Sequence, residues 1–598
     1  MRSTFAGLNT MSKGIQTNRL NLETVGHNIS NASTEGYSRQ SVNAAASPAQ
    51  SVSSIYGNAK VGSGVDMLSV TRARDTYTDR QYWRENSTQA YYDSRQVEYD
   101  KLESIFNDTT NEGIQAAMED FYSAWSELSA SASDSSTRIA IVQQGAVLAD
   151  RLHTAASQLQ DQIDSNYEDM RLNLTSLNEM LGQMVEYNKA IMTAEASGSN
   201  ANDLRDQRDL MVDNITSLLN VNVYEDENGM YSLVSNGVTL VSGINKLTLE
   251  MSDPVVNETY GINDYTITIK ESGISFTPTN GELKAQIDQI AEDKEYIDDL
   301  ASMSAFLLTT FNTLHQQGVG IDEAATAGVN FFGDSNTLYS WDAENECVVY
   351  TKYSEGISAS ATTKEVDEIP KDEDGNNLDN YVDTDGNYVS YTTITDSDST
   401  KHYYKTTVTV SGSGTEEASN VELKGIDIIN TVSMNSLLTA PNGENLVAAR
   451  AWTIDADSDG NPIAVPAGSG DGTNAVDLSA LMNMNQMNTR YGYVYDEDSK
   501  TYELNDSPIG TVSFESFYNK SMTEMGAKAE AMDSKVTSQD EVMTQIVEWR
   551  SSTSGVNWDE ELTNMIMFQQ GYSACSRCLT TMDEMLDKLV NSTGTVGR

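Results

Sequence analysis

A chain of 598 residues is longer than one hydrophobic core organises, so several structural units are expected. Its 37 Lys and Arg against 89 Asp and Glu give a formal charge of −52, which excludes electrostatic adhesion to a phosphate backbone or an anionic lipid surface, so nucleic acid and membrane are not expected partners. No apolar run reaches the roughly 18 residues of a membrane span, and three cysteines, Cys347, Cys575 and Cys578, exclude a disulfide framework.

The first residues, MRSTFAGLNTMSKGIQTNRL, lack the continuous apolar segment and small-residue cleavage site of a secretory signal. They instead open a helix whose seam is Leu8, Met11, Ile15, Asn18, Leu22, Val25 and Ile29, spaced alternately by three and four. Asn18 is the polar position in that seam, a residue that costs stability and favours one register. Gly7, Gly14 and Gly26 each weaken the helix by about 1 kcal/mol relative to Ala, so it needs a partner. Asn31, Ser33, Thr34 and Gly36 then stop it.

From about 75 to 220 the spacing predicts further helices, with one stripe of Met118, Phe121, Trp125 and Leu128 and a longer one from Leu159 to Ile191. The loop SGSNAN, residues 197–202, returns the chain into DLRDQRDLMVDNITSLL as an antiparallel neighbour. The period then becomes two: Asn228-Gly229 and Asn236-Gly237 separate alternating runs, which predicts antiparallel sheet over 221–281. A helical segment follows at about 282–315. Residues 330–515 return to short strands, with Met434–Leu438 and Asp477–Met482 nearer the helical base. Acid concentrates here, at Asp367, Glu368, Asp372, Glu373, Asp374, Asp379, Asp383, Asp385, Asp396 and Asp398, which reads as a solvated exterior.

At the far end Tyr518, Met522, Met525, Ala529, Met532, Val536, Gln539, Met543 and Ile546 again step by three and four. After the break STSGVN a second stripe runs through Leu562, Met565, Gln569, Tyr572, Leu579, Met582, Leu586 and Leu589, with Asn557 and Asp559 as candidate caps. Two amphipathic ends pack either on each other within one chain or between subunits, and periodicity leaves both open.

Chemistry is sparse. His27, His153, His315 and His402 are scattered outside any HExxH, and GxSxG, P-loop and dinucleotide-binding patterns are missing. The pair Cys575 and Cys578 lies in a helical pattern with no second pair to complete a zinc site, and reads as packing. DADSDGN places Asp455, Asp457, Asp459 and Gly460 like an EF-hand loop, but Pro466 stands where the bidentate acid belongs, so an acidic turn is expected. No catalytic residue, cofactor or metal site is assigned, and the chain reads as a non-enzyme.

The run HNISNASTEGYSRQSV, residues 27–42, resembles the N-terminal signature of the bacterial flagellar axial proteins. Its SRQ points within them to the hook-associated family of the hook-filament junction. Residues 554–590, NDLRDQRDLMV at 202–212, GELKAQID at 281–288, FNTLHQQGVG at 311–320 and GDGTNAVDLSAL at 470–481 are similar to that family in the same order. Glu35 stands where the family usually has Pro, and residues 333–425 match nothing.

The resemblance implies a multidomain α+β protein with a coiled-coil base of N- and C-terminal helices, a helical bundle and outer antiparallel β domains. Residues 1–40 plus 550–598 would form the terminal assembly domain, and 41–220 plus 282–330 and 510–549 the helical domain. Residues 221–281 would be a β-rich segment, and 331–509 an outer acidic β-rich domain with a variable insertion. Asn28, Asn31, Gly36, Tyr37, Ser38, Arg39 and Gln40 would be a joint between inner and outer parts. The implied role is structural: a junction joining hook to filament and required for filament assembly, exported without a cleaved signal by the flagellar type III apparatus. Implied partners are hook protein, hook-associated protein 3, further copies in a ring, and an export chaperone on residues 562–589. The terminal helices are expected to be flexible in the monomer and to pair on assembly. The alternatives are another axial protein of hook or rod, an extracellular binding or adhesin module at 333–515, and a redox protein using Cys575 and Cys578.

Overall fold

The computed structural model describes residues 5–54, 57–106, 113–196, 198–371, 377, 380–395, 399–482, 493–496, 501–504, 507–510 and 512–592. Asp372, Glu373, Asp374, Asp379, Asp396 and Asp398 lie outside them. The helices are α1 (Ala6–Ser30), α2 (Thr76–Phe106), α3 (Ile114–Ala130), α4 (Ser135–Glu195), α5 (Asn202–Leu218) and α6 (Glu282–Phe306), which runs through a π turn at Leu307–Phe311 into α7 (Asn312–Gln317). After the outer strands come α8 (Ile426–Thr431), α9 (Ser436–Thr439), α10 (Thr473–Ala480), α11 (Phe514–Ser554) and α12 (Trp558–Ser592). The protein is α+β.

The body is a helical bundle. The 61-residue α4 is its spine, and its predicted stripe from Leu159 to Ile191 is at most 2% exposed. Against it pack α3, α5 and α6, with α2 sandwiched against α5, α6 and α11. The stripe Met118, Phe121, Trp125, Leu128 closes on Phe311, Phe331 and Phe332, rings 5–6 Å apart in tilted and edge contacts. Within this cluster His315 is fully buried: its Nδ1 is 2.7 Å from Val329 O, and its Nε2 accepts from Ala448 N at 3.0 Å. The motif FNTLHQQGVG thus stitches the bundle to the chain returning from the outer strands.

The α11 stripe Tyr518, Met525, Ala529, Met532, Gln539, Met543, Ile546 is buried, facing the body rather than another terminus. Period-two residues after 221 form the expected sheets. At the predicted turns Asn236, Gly237 and Gly229 take φ of +45°, +78° and +76°, conformations that favour Asn and Gly. The outer region holds a three-stranded sheet and a six-stranded sheet, whose strands include Gly356–Val366, Tyr388–Thr395 and Lys401–Ser413. DADSDGN is the turn of a hairpin between Trp452–Ala456 and Pro462–Pro466, where Asp457 Oδ1 accepts from the amides of Asp459 and Asn461.

One stretch departs from the reading. Residues 41–75, assigned to the helical domain, begin as strands: β1 (Gln40–Ala46), β2 (Gln50–Ser54), β3 (Gly57–Val61) and β4 (Val65–Arg72). β1 pairs antiparallel with β4 and β2 with β3, one long ribbon folded back on itself. Small Ser and Ala residues between glycines carry little helical periodicity, and Gly57 and Gly64 take φ of +125° and +106°, conformations open to glycine.

Candidate assembly joint

α1 and α12 pack antiparallel within one chain, in a register set by small residues. A β-carbon on Gly7 would stand 2.7 Å from Met582 Sδ, one on Gly14 3.0 Å from Cys575 Sγ, and one on Gly571 2.6 Å from Asn18 Oδ1. Seven residues up α1 correspond to seven down α12, so the three contacts share one register. Two of the helix-weakening glycines are therefore sockets, and nothing lies within 4 Å of the third, Gly26. Asn18 satisfies its amide by donating to Gly14 O at 2.8 Å, with Cys575 Sγ 4.0 Å away. Cys575 is thus a packing residue, and Cys578 is exposed.

The seam residues divide. On α1, Leu8, Met11, Ile15, Asn18, Leu22 and Ile29 are half-buried and Val25 is buried. On α12, Met565, Leu579, Met582 and Leu586 are half-buried, but Leu562, Gln569, Tyr572 and Leu589 are exposed. Phe568, Gly571 and Cys575 occupy the half-buried turns between. The contact line slips by about one residue from the sequence reading because Gly571 and Cys575, not the larger neighbours, admit the close approach. Further apolar side chains of α12, Leu562, Ile566, Tyr572, Met585 and Leu589, remain on the surface.

Where the pair meets the body, the joint motif folds into a bonded knot. Asn28, 1% exposed, uses all four of its hydrogen bonds: Nδ2 donates to Gln40 O and Glu561 Oε2, and Oδ1 accepts from Gln40 N and Tyr37 OH. Asn31 closes α1 by donating to His27 O. Gly36 turns at φ +75°, where a β-carbon would meet Leu210 Cβ at 3.0 Å. The Tyr37 hydroxyl also lies 3.0 Å from His27 Nδ1, and burial and then nearby Asp203, Asp206 and Glu561 hold it neutral far above the ordinary phenol range. Ser38 is buried and donates N and Oγ to Asp206. Gln40 Nε2 donates to Asp203 Oδ1 at 2.7 Å.

Arg39 spans the break between α11 and α12. Its amide donates to Ser554 O at 2.8 Å, the last residue of α11, while its guanidinium pairs with Glu560 at 2.8 Å and Glu561 at 2.7 Å in the first turn of α12. Burial opposes its charge, but the two carboxylates outweigh it and raise its pKa. Asn557 caps α12, its Oδ1 accepting from the amides of Asp559 and Glu560. The expected cap is therefore Asn557.

Beneath the knot lies a buried charge lattice that periodicity did not reveal. Arg72 pairs with Asp206 and Asp209, Arg74 with Asp79 and Asp209, and Arg550 with Asp79 and Asp213. Burial pushes the Asp209 carboxyl up, yet Arg72, Arg74 and Arg208 overcome this and hold it below the usual carboxylate range. For Asp213 burial wins over Arg550 and Arg74, and its pKa is raised. The signal was present: Asp206, Asp209 and Asp213 of DLRDQRDLMVD fall on one helical face, and Arg72 and Arg74 on one side of a strand end. No cluster of His, Cys, Asp and Glu able to hold a metal ion exists among the described residues.

Comparison with known proteins bears on this arrangement. Residues 99–332 match the flagellar hook-associated protein FlgK helical domain, and residues 550–592, containing the α11–α12 break and α12, match the flagellar basal body rod FlgEFG protein C-terminal model. Flagellar hook-associated protein 1 of Bacillus subtilis (strain 168) is 22% identical over 604 residues, covering 100% of both chains. That of Salmonella typhimurium is 24% identical, covering 98% of this chain and 99% of its own. The flagellar hook junction protein FlgK from Burkholderia pseudomallei shares the fold at a TM-score of 0.51 and 15% identity, over 79% of this chain and 100% of that one. With the FlgK helical-domain match in its body and similarity over its full length in several species, the chain resembles flagellar hook-associated protein 1.

Proposed function

We propose that this protein is a structural junction joining the flagellar hook to the filament, and that filament assembly requires it. The observation that carries the reading is the clamped terminal pair: α1 and α12 pack in one register, yet leave Leu562, Ile566, Tyr572, Met585 and Leu589 of α12 exposed. Apolar side chains left exposed around a terminal helix need neighbours to cover them. Residues 1–40 and 550–598 then act as the assembly domain, with hook protein on one side, hook-associated protein 3 on the other and further copies beside it. The outer strands at 331–509 present an acidic exterior. Export would proceed through the flagellar type III apparatus without a cleaved signal, a chaperone covering residues 562–589 beforehand. The protein performs no catalysis in this reading.

Electron microscopy of a deletion strain, with a blot for flagellin in the medium, tests it. Bare hooks with shed flagellin are expected. Missing hooks would move the protein to hook or rod, and normal filaments would overturn the junction role.

A further inference from the structure

A cleft opens where the helical body meets the outer strands. One wall is α6, another is the turn entering α8, and a third is the tip of the hairpin between strands Thr337–Asp342 and Cys347–Tyr353. Its volume is 510 Å³, and its lining includes Thr259, Asp298, Trp341, Asn345, Glu346 and Lys424. Sites for small ligands occupy about 300–1,000 Å³.

The walls are fixed by the chain itself. Gly425 takes φ +49°, where a β-carbon would stand 2.1 Å from Thr259 O, and Ile426 N donates to that same carbonyl at 2.8 Å. Asp342 braces the hairpin tip: its Oδ1 accepts from the amides of Glu344 and Asn345, and its Oδ2 from Asn345 Nδ2 at 2.8 Å. Glu346 completes the tip at φ +48°, a conformation that favours glycine. Its carboxylate bonds to no described residue, so no contact within the chain accounts for a glutamate there.

The bonding capacity left open in the cleft is mixed. One oxygen of Asp298 accepts from Tyr260 OH at 2.9 Å and the other is open, while Lys424 Nζ pairs with Glu422 at 2.9 Å and keeps two further hydrogens. The Trp341 indole N–H and Asn345 Oδ1 bond to nothing among the described residues. A hydroxyl donates and accepts, so a polyhydroxylated ligand engages both kinds of group. An ammonium ligand would leave the Lys424 and Trp341 donors idle, and an anion would meet Asp298 and Glu346. Trp341 adds an aromatic ring, whose negative face suits the C–H side of a sugar ring. We propose that this cleft binds a neutral saccharide, with Trp341 against the sugar ring, Asp298 and Glu346 accepting from vicinal hydroxyls and Lys424 donating to them.

The site is independent of the junction role, and its test needs only the full-length chain in solution. Saturation-transfer NMR is recorded with millimolar glucose, galactose, N-acetylglucosamine and lactose, and with spermidine and sialic acid as the cationic and anionic probes. Transfer to at least one neutral sugar is expected, reduced more than tenfold in Trp341→Ala and in Glu346→Gly. Because glycine suits φ +48°, Glu346→Gly should keep or raise the melting temperature, which separates lost binding from lost folding. Retention on lactose coupled to agarose would identify the end of a surface glycan as the source, and binding of sugar in solution alone a free saccharide. Transfer to none of the neutral sugars overturns the proposal. So does transfer to spermidine alone, or neutral-sugar binding undiminished in either variant.

Discussion

Asn28 reads the backbone of Gln40 in both directions: its Nδ2 donates to Gln40 O at 2.9 Å, and its Oδ1 accepts from Gln40 N at 2.9 Å. A side-chain amide thus takes the place of a neighbouring strand at the point where α1 gives way to β1. The remaining donor goes to Glu561, so one residue also fastens the far terminus.

Replacement of Asn28 by Ala leaves the Gln40 amide and carbonyl and one Glu561 oxygen buried without their partner. Each orphan costs about 1–3 kcal/mol, less what water recovers, so local stability of the joint should fall by about 3 kcal/mol. Native-state hydrogen exchange is the measurement, because a chain of several units does not unfold in one step. Protection should drop in peptides covering 6–30 and 558–592 and persist in α4. Unchanged exchange in both terminal helices would show that the amide is not what holds them.

Gly14 and Cys575 should be energetically coupled. Gly14→Ala gains about 1 kcal/mol of helix propensity, but its β-carbon would stand 3.0 Å from Cys575 Sγ. The substitution is expected to destabilise the parent pair and to stabilise a Cys575→Ala chain, a change of sign that a double-mutant cycle reads directly. Additive effects would mean that the sulfur is not seated on the glycine.

How far the joint was legible in the sequence follows from these residues. The α1 seam and the α4 stripe were readable because a large apolar side chain every three or four positions announces a buried face. The contact of α12 with α1 leaves Leu562, Gln569, Tyr572 and Leu589 exposed because its closest approaches use Gly571 and Cys575, and hydrophobic periodicity assigns no weight to a side chain that is absent. The ribbon at 40–72 was lost for a similar reason: small Ser and Ala residues alternate without contrast. The charge lattice escaped because paired Arg and Asp resemble a solvated surface until the fold shows that they are inside.

Arg550 should be among the most sensitive surface-distant positions in the protein. It is the cation that Asp79 and Asp213 share from α11, with N–O distances of 3.0 and 2.8 Å. Arg550→Met leaves both carboxylates buried with less compensation and should cost about 3–5 kcal/mol. Adding Asp213→Leu should recover part of the loss, since Asp213 already has a raised pKa from burial. The readout is exchange protection of α5 and the last turns of α11. A double substitution worse than the single one would mean that Asp213 serves Arg74 and Trp83 more than Arg550.

Two buried groups give the body opposing pH dependences. His315 is pushed down to about 4 by burial, with Arg138 also opposing its charge, while its bond to Val329 O opposes the shift. Its unfolded value is near 6.5, so the unfolded chain binds the extra proton between the two values and stability falls as pH drops through that window, by about 3 kcal/mol in all. Asp293 is pushed up to about 8, first by burial and further by Glu98 and Glu292, although Gln289 and Gln162 donate to it. Here the folded chain keeps the proton longer, so stability is greatest below pH 4 and declines as pH rises toward 8. Between pH 4 and 6.5 the two slopes cancel in part, and above 6.5 the Asp293 slope stands alone. Asp293→Asn should therefore raise the melting temperature of the body at pH 8 with little effect at pH 4. His315→Gln should flatten the acid side of the profile from a lower starting stability. A melting temperature that rises from pH 6.5 to 8 in the parent, and is unaltered in slope by Asp293→Asn, would show that Asp293 is already ionised in the folded protein.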